Sequence, residues 1–303
     1  MFSIIVCTYN RDKFIYSSLQ KIAENGCAVS DYEIVLVNNN STDETEKLCN
    51  KFHADYPQVA FRYFVESNQG QSFARNRGIA ETKGDWLVFL DDDAMLQPGY
   101  LANLKANIAQ HPDVGAFGGQ ITPEFEDGIV PAWLCRWTYS WVSAIDMGKE
   151  VMLFKGGKFP IGANMGISRA AIEKCGTFNT ELGRNKKNLM GGEEKDIFNR
   201  LKAAGIPIYY FPNVSVNHII PPHRTTAEFI AKLGAGIGAS ERLRCKNLGA
   251  GALQKRYMME MFKWGATIAL WMFYLLAMRP ACGNMLVMFR WNVSKRLLLS
   301  SGD

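Results

Sequence analysis

Early in the chain, apolar residues come in short unbroken runs: Ser3-Ile4-Ile5-Val6-Cys7, Glu33-Ile34-Val35-Leu36-Val37 and Asp85-Trp86-Leu87-Val88-Phe89-Leu90. Unbroken runs rich in β-branched residues predict strands covered on both faces, because a strand with one wet face would alternate apolar with polar. The intervening segments change period. Lys13 to Asn25 places Phe14, Ile15, Leu19 and Ile22 at helical spacing, and Ser41-Thr42-Asp43-Glu44 reads as an N-cap and acidic first turn opening a second helix. Strand alternating with helix predicts an α/β fold with a mainly parallel sheet. Polar clusters follow the runs directly: Thr8-Tyr9-Asn10-Arg11, Asn38-Asn39-Asn40 and Asp91-Asp92-Asp93. Open α/β sheets bind ligands beyond the carboxyl ends of their strands, so the pattern gathers all three clusters on one edge.

From Gly118 to Pro160 the pattern is irregular and carries Trp133, Trp137 and Trp141, which suit either core packing or stacking against a sugar. A compact α/β pattern resumes at Ile161-Gly162-Ala163-Asn164 and runs to Ile208-Tyr209-Tyr210-Phe211. Beyond Ala227 the character changes. Trp264 to Met278 holds fifteen uncharged residues between Lys263 and Arg279, stopped by Pro280. As a helix this stretch is about 22 Å long, short of a hydrocarbon core of about 30 Å. Met285 to Leu299 mixes Leu286, Phe289, Val293 and Leu297 with Arg290, Lys295 and Arg296. That mixture suits a helix lying in the headgroup plane with its bases toward anionic lipid; the alternative is a helix pair packed on the rest of the protein.

With 303 residues, 48% of them hydrophobic and 21% charged, the chain is a folded protein that can bury a core without disulfide or metal staples. The formal charge of +5 is unevenly placed. Residues 1–241 hold 24 bases against 27 acids, and residues 242–303 hold 10 against 2. This argues against a nucleic-acid partner for the body and for a tail that meets an anionic surface. Seven cysteines without a C-x-x-C pair predict reduced thiols, and the segment from Met1 to Cys7 has no signal-peptide pattern. The expected location is the cytoplasmic side of a membrane, peripheral or monotopic.

Three adjacent carboxylates at the end of a buried strand repel one another unless a cation neutralises them, and hard oxygen ligands favour Mg²⁺ or Mn²⁺. The competing reading is an exposed acidic turn. Neither a dinucleotide fingerprint nor a P-loop is present. Instead, Thr8, Tyr9, Asn10 and Arg11 offer hydroxyl, ring, amide and guanidinium, suited to a base and a phosphate. Asn68-Gln69-Gly70 followed by Ala74-Arg75-Asn76 adds a second arginine.

Together with Val37-Asn38-Asn39-Asn40-Ser41-Thr42-Asp43, Leu90-Asp91-Asp92-Asp93, Gly162-Ala163-Asn164-Met165 with Phe178, and Gly191-Gly192-Glu193-Glu194, these motifs occur in an order that resembles the family 2 inverting glycosyltransferases. The likeness covers about residues 1–225. It implies a GT-A-type sheet with a nucleotide-sugar-binding half over 1–120, an acceptor-binding and catalytic-base half over 121–225, and a helical, basic extension over 226–303. The implied activity is transfer from a nucleotide-diphosphate sugar, a UDP-sugar foremost, to a glycan or glycolipid acceptor in cell-surface polysaccharide or glycolipid synthesis. Carried over by position, Thr8, Tyr9, Asn10, Arg11 and Asn39 would line the nucleotide, and Arg75, Asp91 and Asp92 would face the donor. Asp91, Asp93 and His218 would hold the divalent metal. Glu194 would be the general base, with Asp196 as its rival. Two positions depart from the family: Asn38 replaces a common aspartate, and Glu193-Glu194 replaces a common Glu-Asp. A metal-dependent nucleotidyltransferase and a non-catalytic carbohydrate-binding membrane module are the alternative readings.

Overall fold

A computed structural model of the protein describes residues 1–182 and 192–299. In chain order its elements are β1 (Phe2–Thr8), α1 (Asp12–Ala23), β2 (Tyr32–Asn38), α2 (Thr45–Asp55), β3 (Phe61–Val65), α3 (Gln71–Glu81), β4 (Trp86–Asp91), β5 (Ala94–Leu96), α4 (Tyr100–Gln110) and β6 (Ala116–Phe125). There follow β7 (Met152–Leu153), β8 (Asn164–Ser168), α5 (Arg169–Cys175), α6 (Glu193–Ala203), β9 (Ile208–Ile220), α7 (Ala227–Asn247), α8 (Ala250–Leu276) and α9 (Pro280–Leu298). The strands form one sheet in the order β3-β2-β1-β4-β8-β6-β9-β5, with β7 on β9. β3, β2, β1 and β4 run parallel, as the sequence predicts; β8 pairs antiparallel with β4.

The unbroken apolar runs have the reason expected of them. Along β1, Ile4 and Val6 point into a cluster with Ile34, Leu36, Val88 and Leu90, covered by Ile15, Leu19 and Ile22 of α1 and Phe52 of α2. Ile5 points the other way, toward Leu87, Phe89, Met165 and Ile167, covered by Ile197, Phe198 and Leu201 of α6. Period-2 alternation thus feeds two cores, one on each face.

Contacts divide the chain into two compact units. The first comprises Met1–Glu124, Ser143–Glu181 and Glu193–Ile219, and it contains the sheet and α1 to α6. The second, among the described residues, comprises 125–142, Leu182, Gly192 and 220–299. Here α7 packs closely on α9: a Cβ on Gly238 would lie 2.2 Å from the Val293 carbonyl oxygen and one on Gly234 3.0 Å from that of Phe289. Trp141 stacks on Phe289, ring centroids 4.1 Å apart, and the Trp133 indole donates to the Thr225 carbonyl. These two tryptophans are packing residues; Trp137 is exposed, with the Arg136 guanidinium over its ring.

One expectation about this unit is overturned. Leu286, Phe289, Val293 and Leu297 of α9 are buried within the protein, and Arg290 is turned inward to Glu260 at 3.2 Å, so α9 does not lay an apolar face on lipid with Arg290 toward headgroups. The reason is electrostatic. Glu260, deeply buried, attracts Arg256 at 2.6 Å as well as Arg290, and accepts from Ser294. The uncharged stretch from Trp264 lies in α8, and among the described residues no helix is long and apolar enough to cross a membrane.

Candidate active site

Strand register builds the site. In the parallel pairing Thr8 stands opposite Asn38, and Cys7 opposite Asp91, so the ends of β1, β2 and β4 present their polar residues side by side. The loop after β1 turns through Asn10, whose φ of 52° lies in the left-handed region that asparagine tolerates. Its amide N–H donates to the Ser41 hydroxyl, and its side-chain oxygen accepts from the Thr42 N–H at 2.8 Å. Ser41 therefore stitches two loops together and is not an N-cap. α2 starts later, at Thr45, where the Asp43 carboxylate accepts from the Thr45 and Asp12 N–H groups.

The asparagine cluster is similarly knit. Asn38 donates to the Tyr63 hydroxyl and accepts from the Ser41 N–H, a dual role that a carboxylate, which only accepts, could not fill in the same way. Asn39 is buried and donates to the carbonyls of Glu66 and Asn68 while accepting from the Gly70 N–H and, at 3.3 Å, from the Gln69 amide. Its amide holds the loop 66–70 against the end of β2. Gly70 follows with a φ of 152° and leads into α3.

The acidic strand end is assembled by a second pairing. β5 runs antiparallel to β9 with Ala94 opposite His218, and the Ile219 N–H donates to the Asp93 carbonyl. This brings the His218 Nε2 to 2.9 Å from Asp93. Asp91, Asp93 and His218 offer ligand atoms all within 4.8 Å of one another. Two hard carboxylates and an imidazole at that spacing fit a divalent cation such as Mn²⁺ or Mg²⁺. Asp92 is buried beside them. Burial pushes its carboxyl up to about 7, the neighbouring Asp93 charge adds to the shift, and Arg11 opposes it. Arg11 pairs with Asp92 at 3.7 Å and Asp93 at 3.4 Å. The exposed-turn reading fails because Asp92 and Asp93 are both buried. Cys7 lies along the same edge, but burial pushes its thiol up to about 12, so it offers no thiolate nucleophile near neutral pH.

The most informative group is Arg75, on the second turn of α3. It is 2% exposed, so it does not sit on the helix surface. Its Nη1 lies 3.2 Å from Glu193, its Nη2 3.1 Å from Glu194 and 3.9 Å from Asp91, and its plane lies over the Phe178 ring. Burial alone would lower the Arg75 pKa, but the charges of Glu194, Glu193 and Asp91 overcome it and raise it, keeping the guanidinium charged. Both glutamates occupy the first turn of α6, where the helix dipole favours anions. Gly191 of the same motif lies outside the described residues. The Glu194 Oε1 also accepts from the Gly162 N–H at 2.9 Å. Glu193, with 4% side-chain exposure, is sealed in, whereas Glu194, with 20%, is partly exposed. Asp196 is engaged with Arg200 at 2.9 Å, one turn along the helix, which fits a structural role.

The structure thus brings Thr8, Asn10, Arg11, Asp91, Asp92, Asp93, Arg75, Glu194 and His218 into the first unit along one sheet edge, with Tyr9 half-buried in the β1 loop. Sequence reading missed Gly162 as a constraint. A Cβ there would lie 2.0 Å from the Arg75 Nη2 and 2.2 Å from the Glu194 Oε1. The only signal was its place in a segment that resembles the family's acceptor side. Gly162→Ala should fold, because the clash is with side-chain ends, but should lower turnover by at least tenfold while leaving donor affinity within about twofold, by displacing the carboxylate. Steady-state kinetics with donor titration checks this.

The family model for Glycosyl transferase family 2 matches residues 3–176. Among curated proteins, a glucosyl-dolichyl phosphate glucuronosyltransferase of Haloferax volcanii is 23% identical over 80% of this chain and 76% of its own length. A PGL/p-HBAD biosynthesis glycosyltransferase of Mycobacterium bovis is 38% identical over 37% of this chain, a match that spans 43% of the relative. Among solved structures, a mannosyltransferase from Pyrobaculum calidifontis in complex with GDP-Man and Mn²⁺ aligns with 98% of this chain and 87% of its own at a TM-score of 0.64 and 17% identity. TarS of S. aureus aligns with 78% of this chain and 65% of its own at 0.53 and 18%. These likenesses establish a GT-A-type α/β fold, on which an acidic strand end, an imidazole and an arginine-bound carboxylate share one edge. With the family model running across more than half of its length, this chain belongs to glycosyl transferase family 2.

Proposed function

We propose that the protein is an inverting glycosyltransferase that moves a sugar from a nucleoside-diphosphate sugar, a UDP-sugar foremost, to a hydroxyl of a glycan or glycolipid, working peripherally at the cytoplasmic face of a membrane. The observation that carries this reading is Glu194: a partly exposed carboxylate held by Arg75 and the Gly162 N–H, on the sheet edge that carries Asp91, Asp93 and His218. Residues 1–120 act as the donor half and 121–225 as the acceptor half. Nucleotide complexes of the neighbours, with GDP-Man and Mn²⁺ in one and UDP in another, support the donor class. The archaeal relative, named for a dolichyl-phosphate-linked sugar, supports a lipid-linked acceptor.

Inversion requires the acceptor oxygen to attack the anomeric carbon from the face opposite the diphosphate, through a transition state with oxocarbenium character. As the new C–O bond forms and the bond to the diphosphate breaks, the acceptor proton passes to the Glu194 carboxylate. Arg75 and the Gly162 N–H fix that carboxylate in position, and buried Glu193 holds Arg75 in place. Arg11 stands by Asp92 and Asp93, where it orients the acidic loop and meets the phosphates. Asp91, Asp93 and His218 would hold a divalent cation, which would supply Lewis-acid stabilisation to the diphosphate leaving group. Asn39 acts at a distance, by fixing the loop that leads into α3.

A panel of nucleotide sugars tests the reading through release of nucleoside diphosphate. A chelator should abolish release, added Mn²⁺ should restore it, and Asp93→Asn should raise the Mn²⁺ concentration needed by at least tenfold. Release indifferent to the chelator would overturn the metal assignment. Release of nucleoside monophosphate and pyrophosphate in place of diphosphate would favour a nucleotidyltransferase.

A further inference from the structure

The α8 helix is inside out. A helix on the surface of a water-soluble body turns its apolar stripe inward and its polar residues outward. On α8, the residues facing the second unit's interior are Arg256, Glu260, Thr267 and Tyr274, all buried. Arg256 binds Glu241 and Glu260 there, and the Thr267 hydroxyl donates to the Lys263 carbonyl. On the opposite face stand Met258, Met261, Phe262, Met272, Phe273 and Leu276, exposed by 59%, 74%, 80%, 54%, 60% and 83%. Their spacing, i, i+3, i+4 and then i+14, i+15 and i+18, keeps them on one stripe from Met258 to the end of the helix at Leu276. A contiguous patch of this kind marks an interaction surface.

Charge decides what covers it. Between Arg242 and Leu299 the one acidic residue is Glu260, and it is enclosed by Arg256, Arg290 and Ser294. Glu241, the nearest acid upstream, is bound to Arg244 and Arg256. Between residues 242 and 299 the exposed charges are therefore of one sign, among them Lys255 near the start of the stripe, Arg279 just past its end, and Lys295 and Arg296 on the last turn of α9. A second copy would set these bases against their equivalents. An anionic lipid surface accepts the apolar side chains below the headgroups and the bases at headgroup level.

We propose that α8 lies in the plane of an anionic membrane with the stripe from Met258 to Leu276 embedded and Lys255 and Arg279 anchoring its ends. The proposal rests on the reading that the extension 226–303 meets a membrane, and it moves the contact from α9 to α8.

The test uses the full chain in vesicle flotation, with phosphatidylcholine vesicles and with vesicles that also contain phosphatidylglycerol. The wild type should float with the second and poorly with the first. The triple variant Met261→Ser, Phe262→Ser, Phe273→Ser should lose on the order of tenfold or more in partitioning. Its nucleoside-diphosphate release from a soluble donor should match wild type, which shows that the first unit is intact. Lys255→Gln with Arg279→Gln should erase the preference for phosphatidylglycerol. A wild type that floats with neither vesicle, while turning over donor, overturns membrane contact and leaves the transferase reading standing. Equal flotation of wild type and triple variant overturns the α8 face alone. A lipid-free dimer that the triple variant converts to monomer, with no flotation, assigns the stripe to a second copy and overturns the proposal.

Discussion

Glu194→Gln should reduce glycosyl transfer by about 10²- to 10⁴-fold, the range a positioned general base supplies, with little change in donor-nucleotide affinity. Glutamine keeps the volume and an oxygen that can accept from the Gly162 N–H and the Arg75 guanidinium, as Glu194 does at 2.9 and 3.1 Å. What it lacks is a site for the acceptor proton. The loss should therefore fall on kcat, with the donor KM nearly unchanged. Calorimetric titration with nucleoside diphosphate and Mn²⁺ checks binding separately. Glu193→Gln provides the contrast: its 4% exposure keeps it from any acceptor, so it should lower stability more than turnover. Near-normal turnover by Glu194→Gln together with an inactive Asp196→Asn would move the base to Asp196.

Arg75→Met should have the largest effect on stability. It removes the cation between two buried or half-buried glutamates and leaves Glu193 without compensation, a change that costs about 3–5 kcal/mol when a buried ion pair is broken from one side. Thermal melting should show this as a large fall in Tm. The double variant Arg75→Met, Glu193→Met discriminates between stability and catalysis. Replacing a buried pair by apolar residues of similar size is often neutral or stabilising, so the double variant should recover most of the lost Tm. Turnover should not recover, because Glu194 still lacks its orienting donor. Recovery of both would reduce Arg75 to a structural residue with no influence on the base.

Much of this arrangement is legible in the sequence. The unbroken runs ending at Cys7, Val37 and Leu90 required strands buried on both faces, and β1, β2 and β4 are such strands. The polar clusters behind them had to share an edge because the strands are parallel. β3 was not legible, since Arg62 interrupts its apolar residues and it stands at the end of the sheet with one neighbour. The apolar run read from the sequence stops at Phe211, yet β9 continues to Ile220, and that continuity explains how His218 reaches Asp93. The glutamate partners of Arg75 lie more than a hundred positions away, and no local pattern encodes such a contact.

The extension shows the opposite limit. Its charge was plain from the count, but the direction each base faces depends on where two glutamates are buried. Glu260 turned Arg290 inward and left the apolar side chains of α8 outside. Periodicity identifies the stripe; only packing says which side of the helix is covered.

The central claim is inverting transfer with Glu194 as base, and the most direct measurement is proton NMR of the first sugar formed from an α-linked nucleotide sugar in Mn²⁺. In slow donor hydrolysis, water takes the place of the acceptor hydroxyl. The account predicts that the β-anomer appears first, alongside nucleoside diphosphate, and that both signals vanish in Glu194→Gln. An α-anomer appearing first, or unchanged release from Glu194→Gln, would contradict it.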